Sequence, residues 1–190
     1  MKNITTIAGL ALAVTAMTAS ADHLLEVDLS VANQITIMAT SGVSAVSASG
    51  GDTTGVYLEN FFNVVGTNPV ETLLSGNLTN AENPSDGTPN LFRAGLGSDM
   101  GLNIWSFSSD ITVTFTAGSL AFTGSATWGL SASEYADFLT GNSSGDLYFP
   151  ADDSGDLAGA ERLGTWAVVP APSSMALLGL GGLVCTRRRR

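Results

Sequence analysis

The chain has 190 residues and a formal net charge of −10, which suits one domain with short appendages. All seventeen acidic residues lie between Asp22 and Glu161, and between Asp22 and Val169 only Arg93 and Arg162 are basic, so that stretch carries −15 and contains no lysine. So acidic a body repels nucleic-acid phosphates and anionic headgroups, and with Cys185 as the sole cysteine it holds neither a disulfide nor a thiolate metal site.

Residues 1–21 read as a secretion signal. Lys2 supplies a positive start, Ile7 to Val14 a short apolar core, and Ala19-Ser20-Ala21 a small-x-small cleavage pattern, with Ala19 and Ala21 at its two recognition positions. The apolar core is too short for a membrane span of about 20 residues. The body is therefore expected to begin at Asp22, after the secretion translocon and signal peptidase have acted.

Strand patterns dominate the body from Asp22 onward. Leu25, Val27, Leu29 and Val31 alternate with Glu26, Asp28 and Ser30, the period of a half-buried strand. Gln34 to Thr40 predicts a second strand, Val43 to Val46 a short third, and Gly55 to Phe62 another after a Gly50-Gly51-Asp52 turn. Asn77 to Asn90, rich in Asn, Pro, Asp and Gly, reads as a loop. Ile111, Val113 and Phe115 alternate with threonines, and Leu120, Phe122, Ala126 and Trp128 alternate with small polar residues. With Ala117-Gly118 between them, the two runs predict an antiparallel hairpin. Ser131 and Glu134 form a capping-box pattern for one short helix over 130–140, with Tyr135, Phe138 and Leu139 on its buried face and Gly141 as its stop. Gly164 to Val169 is the last predicted strand. The expectation for 22–169 is an all-β, antiparallel two-sheet sandwich of jelly-roll type carrying that helix.

The body offers little for catalysis. Its one histidine, His23, stands beside the expected mature N-terminus, the wrong place for a rigidly held triad member or a zinc ligand. Acids are plentiful, but nothing in the pattern marks a pair for carboxylate-dependent hydrolysis. No cofactor is expected. Asp146 and the run Asp152-Asp153-Ser154-Gly155-Asp156 place oxygen ligands around a turn, with Asp152, Asp153 and Asp156 as the calcium candidates. Their spacing does not fit an EF-hand loop, and a solvated acidic loop is the plainer reading. Trp105, Trp128 and Trp166, with Tyr57, Tyr135 and Tyr148, offer flat faces for stacking on an exopolysaccharide. At alternating strand positions, however, Trp128 and Trp166 read as core.

The C-terminal segment has three parts. Pro170-Ala171-Pro172 is a stiff, extended element open to a processing enzyme. Met175, Ala176, Leu177, Leu178, Gly179, Leu180, Gly181, Gly182, Leu183 and Val184 form an uncharged apolar stretch that predicts a membrane helix, with glycines that permit close helix approach. Arg187, Arg188, Arg189 and Arg190 are costly to move across a bilayer and hold the end on the inner side.

This segment resembles the PEP-CTERM sorting signal. Val169, Pro170, Ala171, Pro172 and Ser173 stand in the place of the family's Val-Pro-Glu-Pro-Ser, with Ala171 where the family has glutamate. Ala176 to Leu183 is similar to its glycine-bearing apolar stretch, and Arg187 to Arg190 to its basic end. The resemblance covers 170–190 and implies export, passage through the inner membrane, processing near the Pro-x-Pro by an exosortase, and release to the outer surface or matrix. A tail kept as an uncleaved single-pass anchor is the competing reading. For 22–169 the resemblance implies no activity. The residues favour a non-enzymatic surface or matrix protein, with an exopolysaccharide-binding module as the alternative and a hydrolase behind it.

Overall fold

A computed structural model describes residues 22–51, 53–66, 70–84, 89–106 and 112–169, with the backbone alone at Val70, Trp105 and Ser106. Residues 1–21 and 170–190 lie outside the described residues, so the expected cleavage positions Ala19 and Ala21, Pro170 to Ser173, the apolar stretch and the arginine cluster do too. No described helix is long and apolar enough to cross a membrane.

The strands in chain order are β1 (His23–Asp28), β2 (Gln34–Ala39), β3 (Ala48–Gly51), β4 (Val56–Leu58), β5 (Val70–Gly76), β6 (Thr79–Asn80), β7 (Pro89–Arg93), β8 (Leu102–Ser106), β9 (Thr112–Phe115), β10 (Phe122–Thr123) and β11 (Ser125–Gly129). Helix α1 (Ala132–Leu139) comes next, then β12 (Ser144–Phe149) and β13 (Glu161–Val168). Nine strands pair in the closed circuit β1-β13-β12-β4-β8-β7-β5-β11-β2, while β6 with β10 and β3 with β9 form separate two-stranded ribbons. The all-β class with one short helix holds. The expected two stacked sheets do not. Strand β1 bonds to β2 on one side and to β13 on the other, so the seam that would leave two edges is sealed. The β1–β13 pairing is parallel, whereas every other pairing in the circuit is antiparallel.

The core is filled with large side chains. Trp128, Trp166, Phe61, Phe62, Phe115 and Phe149 are all essentially inaccessible. Edge-on contacts such as Phe61–Phe138 at 5.4 Å and Phe115–Phe149 at 5.0 Å lock them together. A barrel of this size has an interior that side chains fill.

Several local expectations need correction. Leu25 and Val27 are buried as the alternation predicts, but β1 stops at Asp28, whose Oδ1 accepts the Ser30 amide, and Val31 is turned out to solvent. Val43 to Val46 contributes a single bridge, Val43 to Leu120, rather than a strand. Gly50 and Gly51 end β3, and the turn starts from the second of them, the Thr54 amide donating to the Gly51 carbonyl at 3.2 Å. The loop expected over 77–90 contains β6 and the start of β7. The hairpin expected around Ala117-Gly118 does not form. A turn is present, with the Ser119 amide on the Thr116 carbonyl, but its arms diverge, β9 to β3 and β11 to β2 and β5. The run after the turn is broken at Gly124, whose φ of +79° ends β10 and re-aims the chain into β11. Helix α1 has the predicted capping box, the Ser131 Oγ accepting from the Glu134 amide and the Glu134 carboxylate from the Ser131 amide. Phe138 is buried and Tyr135 half-buried, but Leu139 is 55% exposed, against the face predicted for it.

Candidate functional site

Val169 is the last described residue, and it leaves the body at a defined place. Its amide donates to the Val27 carbonyl at 2.8 Å, carrying the β1–β13 register one residue beyond β13. At the other end of the same strand pair the Asp22 carbonyl accepts the Thr165 amide at 2.7 Å. Because β1 and β13 run parallel, the N-terminal end of the body and its C-terminal exit face opposite ways. The rise of about 3.3 Å per residue separates them by roughly the length of β1. Around the exit lies an open groove of about 350 Å³ whose lining includes Leu29, Phe138, Leu139, Val168 and Val169.

The acidic loop lies elsewhere. Asp152, Asp153 and Asp156 come together, with one carboxylate oxygen of each within 4.8 Å of the others. Asp146 does not join them. It pairs with Arg162 at 2.7 Å on the seam between β12 and β13, and Arg162 also reaches Asp22 at 3.7 Å. The loop's carboxylates serve its own backbone. The Asp152 amide donates to Asp156 Oδ2 and the Gly155 amide to Asp153 Oδ1. Burial, then the hydrogen bond and charge of Asp156, hold the Asp152 carboxyl above its ordinary value.

Sequence reading missed the residue that ties this loop down. The Ser154 amide and hydroxyl both donate to Asp99 Oδ2, while Tyr57 Oη donates to Asp99 Oδ1 at 2.6 Å and the Gly101 amide to the same oxygen at 2.7 Å. Burial pushes the Asp99 carboxyl up, but the bonds from Ser154, Tyr57 and Gly101 outweigh it and leave it below the usual range. The signal was readable, since Asp-x-Gly is an Asx-turn pattern. The Tyr57 hydroxyl is pushed up by burial and by Asp99. This arrangement anchors a loop. A cleft of about 290 Å³ beside it is lined by Arg93, Asn103 and Asp152 among others, and the Asn103 amide is already spent on the Thr54, Val56 and Ala151 carbonyls. With one oxygen of Asp153 and one of Asp156 already held by the loop's own amides, the loop is expected to give the same melting temperature in millimolar calcium as in chelator. A rise with calcium, measured by thermal unfolding, would restore Asp152, Asp153 and Asp156 as a cation site.

The remaining candidates separate clearly. Trp128 and Trp166 are fully buried, and the Trp128 indole donates to the Pro89 carbonyl, so neither offers a face to a sugar. Tyr57 is 1% exposed and equally removed from solvent. Tyr135 and Tyr148 are half-buried, the Tyr135 hydroxyl bonding the Leu29 carbonyl, and the side chain of Trp105 lies outside the described residues. His23 sits 3.8 Å from Glu26 on the same strand.

Residues 168–190 match the family model described as the PEP-CTERM protein-sorting motif. No curated protein matches the chain, and no solved structure does.

Proposed function

From a chain that carries a PEP-CTERM sorting motif, and is thereby directed through exosortase processing at the membrane toward the cell surface, we propose that the 22–169 barrel is a non-enzymatic surface or matrix protein. The motif is its delivery address. The secretion translocon and signal peptidase act first, at Ala19-Ser20-Ala21, and exosortase acts last, at Pro170-Ala171-Pro172. Between those steps the apolar stretch and the arginine cluster hold an inner-membrane intermediate with the body outside.

The observation that carries the reading is the opposed placement of the body's two ends. The N-terminal end docks on Thr165, and the motif begins where β13 passes Val27. A body built this way can fold outside while still held by its tail, with its N-terminal end directed away from the tail. The self-capped acidic loop and the buried indoles support a structural role over catalysis or sugar stacking. The high negative charge keeps the body off anionic membrane surfaces once it is released.

Intact-mass measurement of protein recovered from the cell surface and the medium tests the reading. The expected species lacks residues 1–21 and everything beyond about Pro172. A full-length C-terminus in every fraction would replace the sorted product with a permanent anchor.

A further inference from the structure

Two adjacent loops turn large apolar side chains to water. We propose that Val64, Val65, Leu96 and Met100 form a docking surface for a basic protein segment that carries an apolar anchor. The inference goes beyond the surface or matrix role and does not depend on how the chain is sorted.

The first observation is contiguity. Val64 is 57% exposed, Val65 57%, Leu96 78% and Met100 44%. They are not scattered. The Phe62 amide donates to the Met100 carbonyl at 2.7 Å and the Gly66 amide to the Gly97 carbonyl at 3.0 Å, so residues 62–66 run alongside 97–100. Single exposed apolar residues need no explanation, but a joined group marks an interaction site.

The second is the backbone beneath Leu96. Gly95 and Leu96 both hold left-handed conformations, at φ +56° and +54°. Glycine takes this freely, whereas the Cβ of leucine strains it. Among the described residues the other non-glycine positions of this kind are asparagines, Asn33 and Asn60, which tolerate it. Leu96 gains almost no burial in return, and strain held at an exposed position points to function. The turn is also fixed. The Ser98 amide and hydroxyl both donate to the Gly95 carbonyl, and Arg93 holds the Val64 carbonyl from the buried side. A preorganised apolar anchor loses little freedom when a partner covers it.

The third is charge, which selects the partner. The acidic loop abuts the same turn: a Cβ at Gly95 would lie 3.5 Å from Asp153 Oδ2, and Leu96 shares the cleft of about 290 Å³ with Asp152 and Asp153. The two arginines between Asp22 and Val169 are both engaged, Arg93 buried against Asp137 and Arg162 with Asp146 and Asp22. A second copy of the body therefore meets this surface with acid against acid, and an anionic bilayer is repelled in the same way. Lysine or arginine beside an apolar side chain complements it. Charge steers the approach, and the anchor settles on Leu96 and the two valines.

A fluorescent synthetic peptide, lysines flanking a central pair of leucines, tests this by anisotropy with protein recovered from the cell surface, in about 0.15 M salt. The peptide is expected to bind, and versions with serine for leucine or glutamate for lysine to bind about tenfold more weakly or worse. Leu96→Gly removes the anchor and relaxes the turn. It should weaken binding about tenfold or more while the melting temperature holds or rises. Leu120→Ser, at an exposed leucine outside the patch, should bind as the wild type does. Absence of binding, or equal binding of either control peptide, would overturn the inference. So would wild-type affinity in Leu96→Gly, or a fall in its melting temperature, which would assign Leu96 to the fold. Self-association of the wild-type chain that Leu96→Gly abolishes would give the patch to a second copy instead. Surface protein serves here with its tail kept or removed, so this test and the mass test of sorting fail independently.

Discussion

Glu71→Gln is expected to stabilise the barrel at neutral and alkaline pH and to remove much of the fall in stability between pH 5 and 8. Glu71 lies on β5 opposite Leu91, is 4% exposed, and has Oε1 buried with no hydrogen-bond partner. Burial, reinforced by the nearby Glu134 charge, pushes its carboxyl from 4.5 up to about 8. A folded-state value above the unfolded one means the folded protein favours the protonated form. The contribution is fully present below pH 4.5, is lost as pH rises toward 8, and then levels off. Its slope is at most about 1.4 kcal/mol per pH unit. Glutamine keeps the shape and cannot ionise. Near pH 8 the variant should gain about 1–3 kcal/mol, worth roughly 2–12 °C in melting temperature for a domain of this size. Near pH 4.5 the two proteins should be close. Repulsion among the other acids also weakens the fold as pH rises, but it acts on both proteins, so the difference between their unfolding curves isolates Glu71. Parallel curves across the range would show that this carboxyl is solvated or paired in the folded protein.

The sequence disclosed the local features that rest on short-range rules. The period-two alternation of Leu25 and Val27, the capping box at Ser131 and Glu134, and the strand running into the tail all derive from residues within a few positions of one another. The sorting motif was legible for the same reason, being a linear signal. What the sequence withheld was pairing. Nothing in Thr112–Phe115 says that its partner is Ala48–Gly51, since the alternation that suggested a hairpin is equally satisfied by a distant strand. The closure of the barrel was hidden in the same way, because it depends on the first strand meeting the last across more than 130 intervening residues. Strands β5, β7 and β12 went unread because Glu71, Pro89 and Asp146 interrupt their apolar patterns; Asp146 is paired with Arg162 and Pro89 opens its strand, while Glu71 is buried with one oxygen unpartnered. Glu71 shows the limit best: seventeen acids look alike in sequence, and burial alone sets one apart.

Arg93→Ala should be the most damaging charge substitution in the body, and the reason is packing more than ion pairing. Arg93 ends β7 with its side chain 2% exposed. Nη1 donates to Asp137 Oδ2 at 2.9 Å, Nη2 donates to the Val64 carbonyl at 2.6 Å, and the guanidinium carbon lies 3.8 Å over the Phe62 ring. One planar group thus fastens the 62–66 segment, β7 and α1. The segment comes so close that a Cβ at Gly66 would sit 2.3 Å from Nη1, so a larger residue there would have to displace the guanidinium. Truncation leaves a cavity, an unpaired Val64 carbonyl and a helix without its tie. The expected cost is about 3–5 kcal/mol, and the melting temperature should fall by roughly 6–20 °C. Lysine should recover little, since a point charge on a flexible stem cannot make the two-armed contact or stack on Phe62. Asp137 is the contrasting partner. Its side chain is 46% exposed and asparagine keeps an oxygen to accept from Nη1, so Asp137→Asn should cost less, about 1–3 kcal/mol, most of it from the buried Arg93 charge losing its counter-ion. The inequality between the two variants, read from thermal or urea unfolding, is the diagnostic. Equal losses would mean that the ion pair itself holds α1 to the barrel, and that the stacking on Phe62 and the bond to Val64 result from that pairing rather than support it.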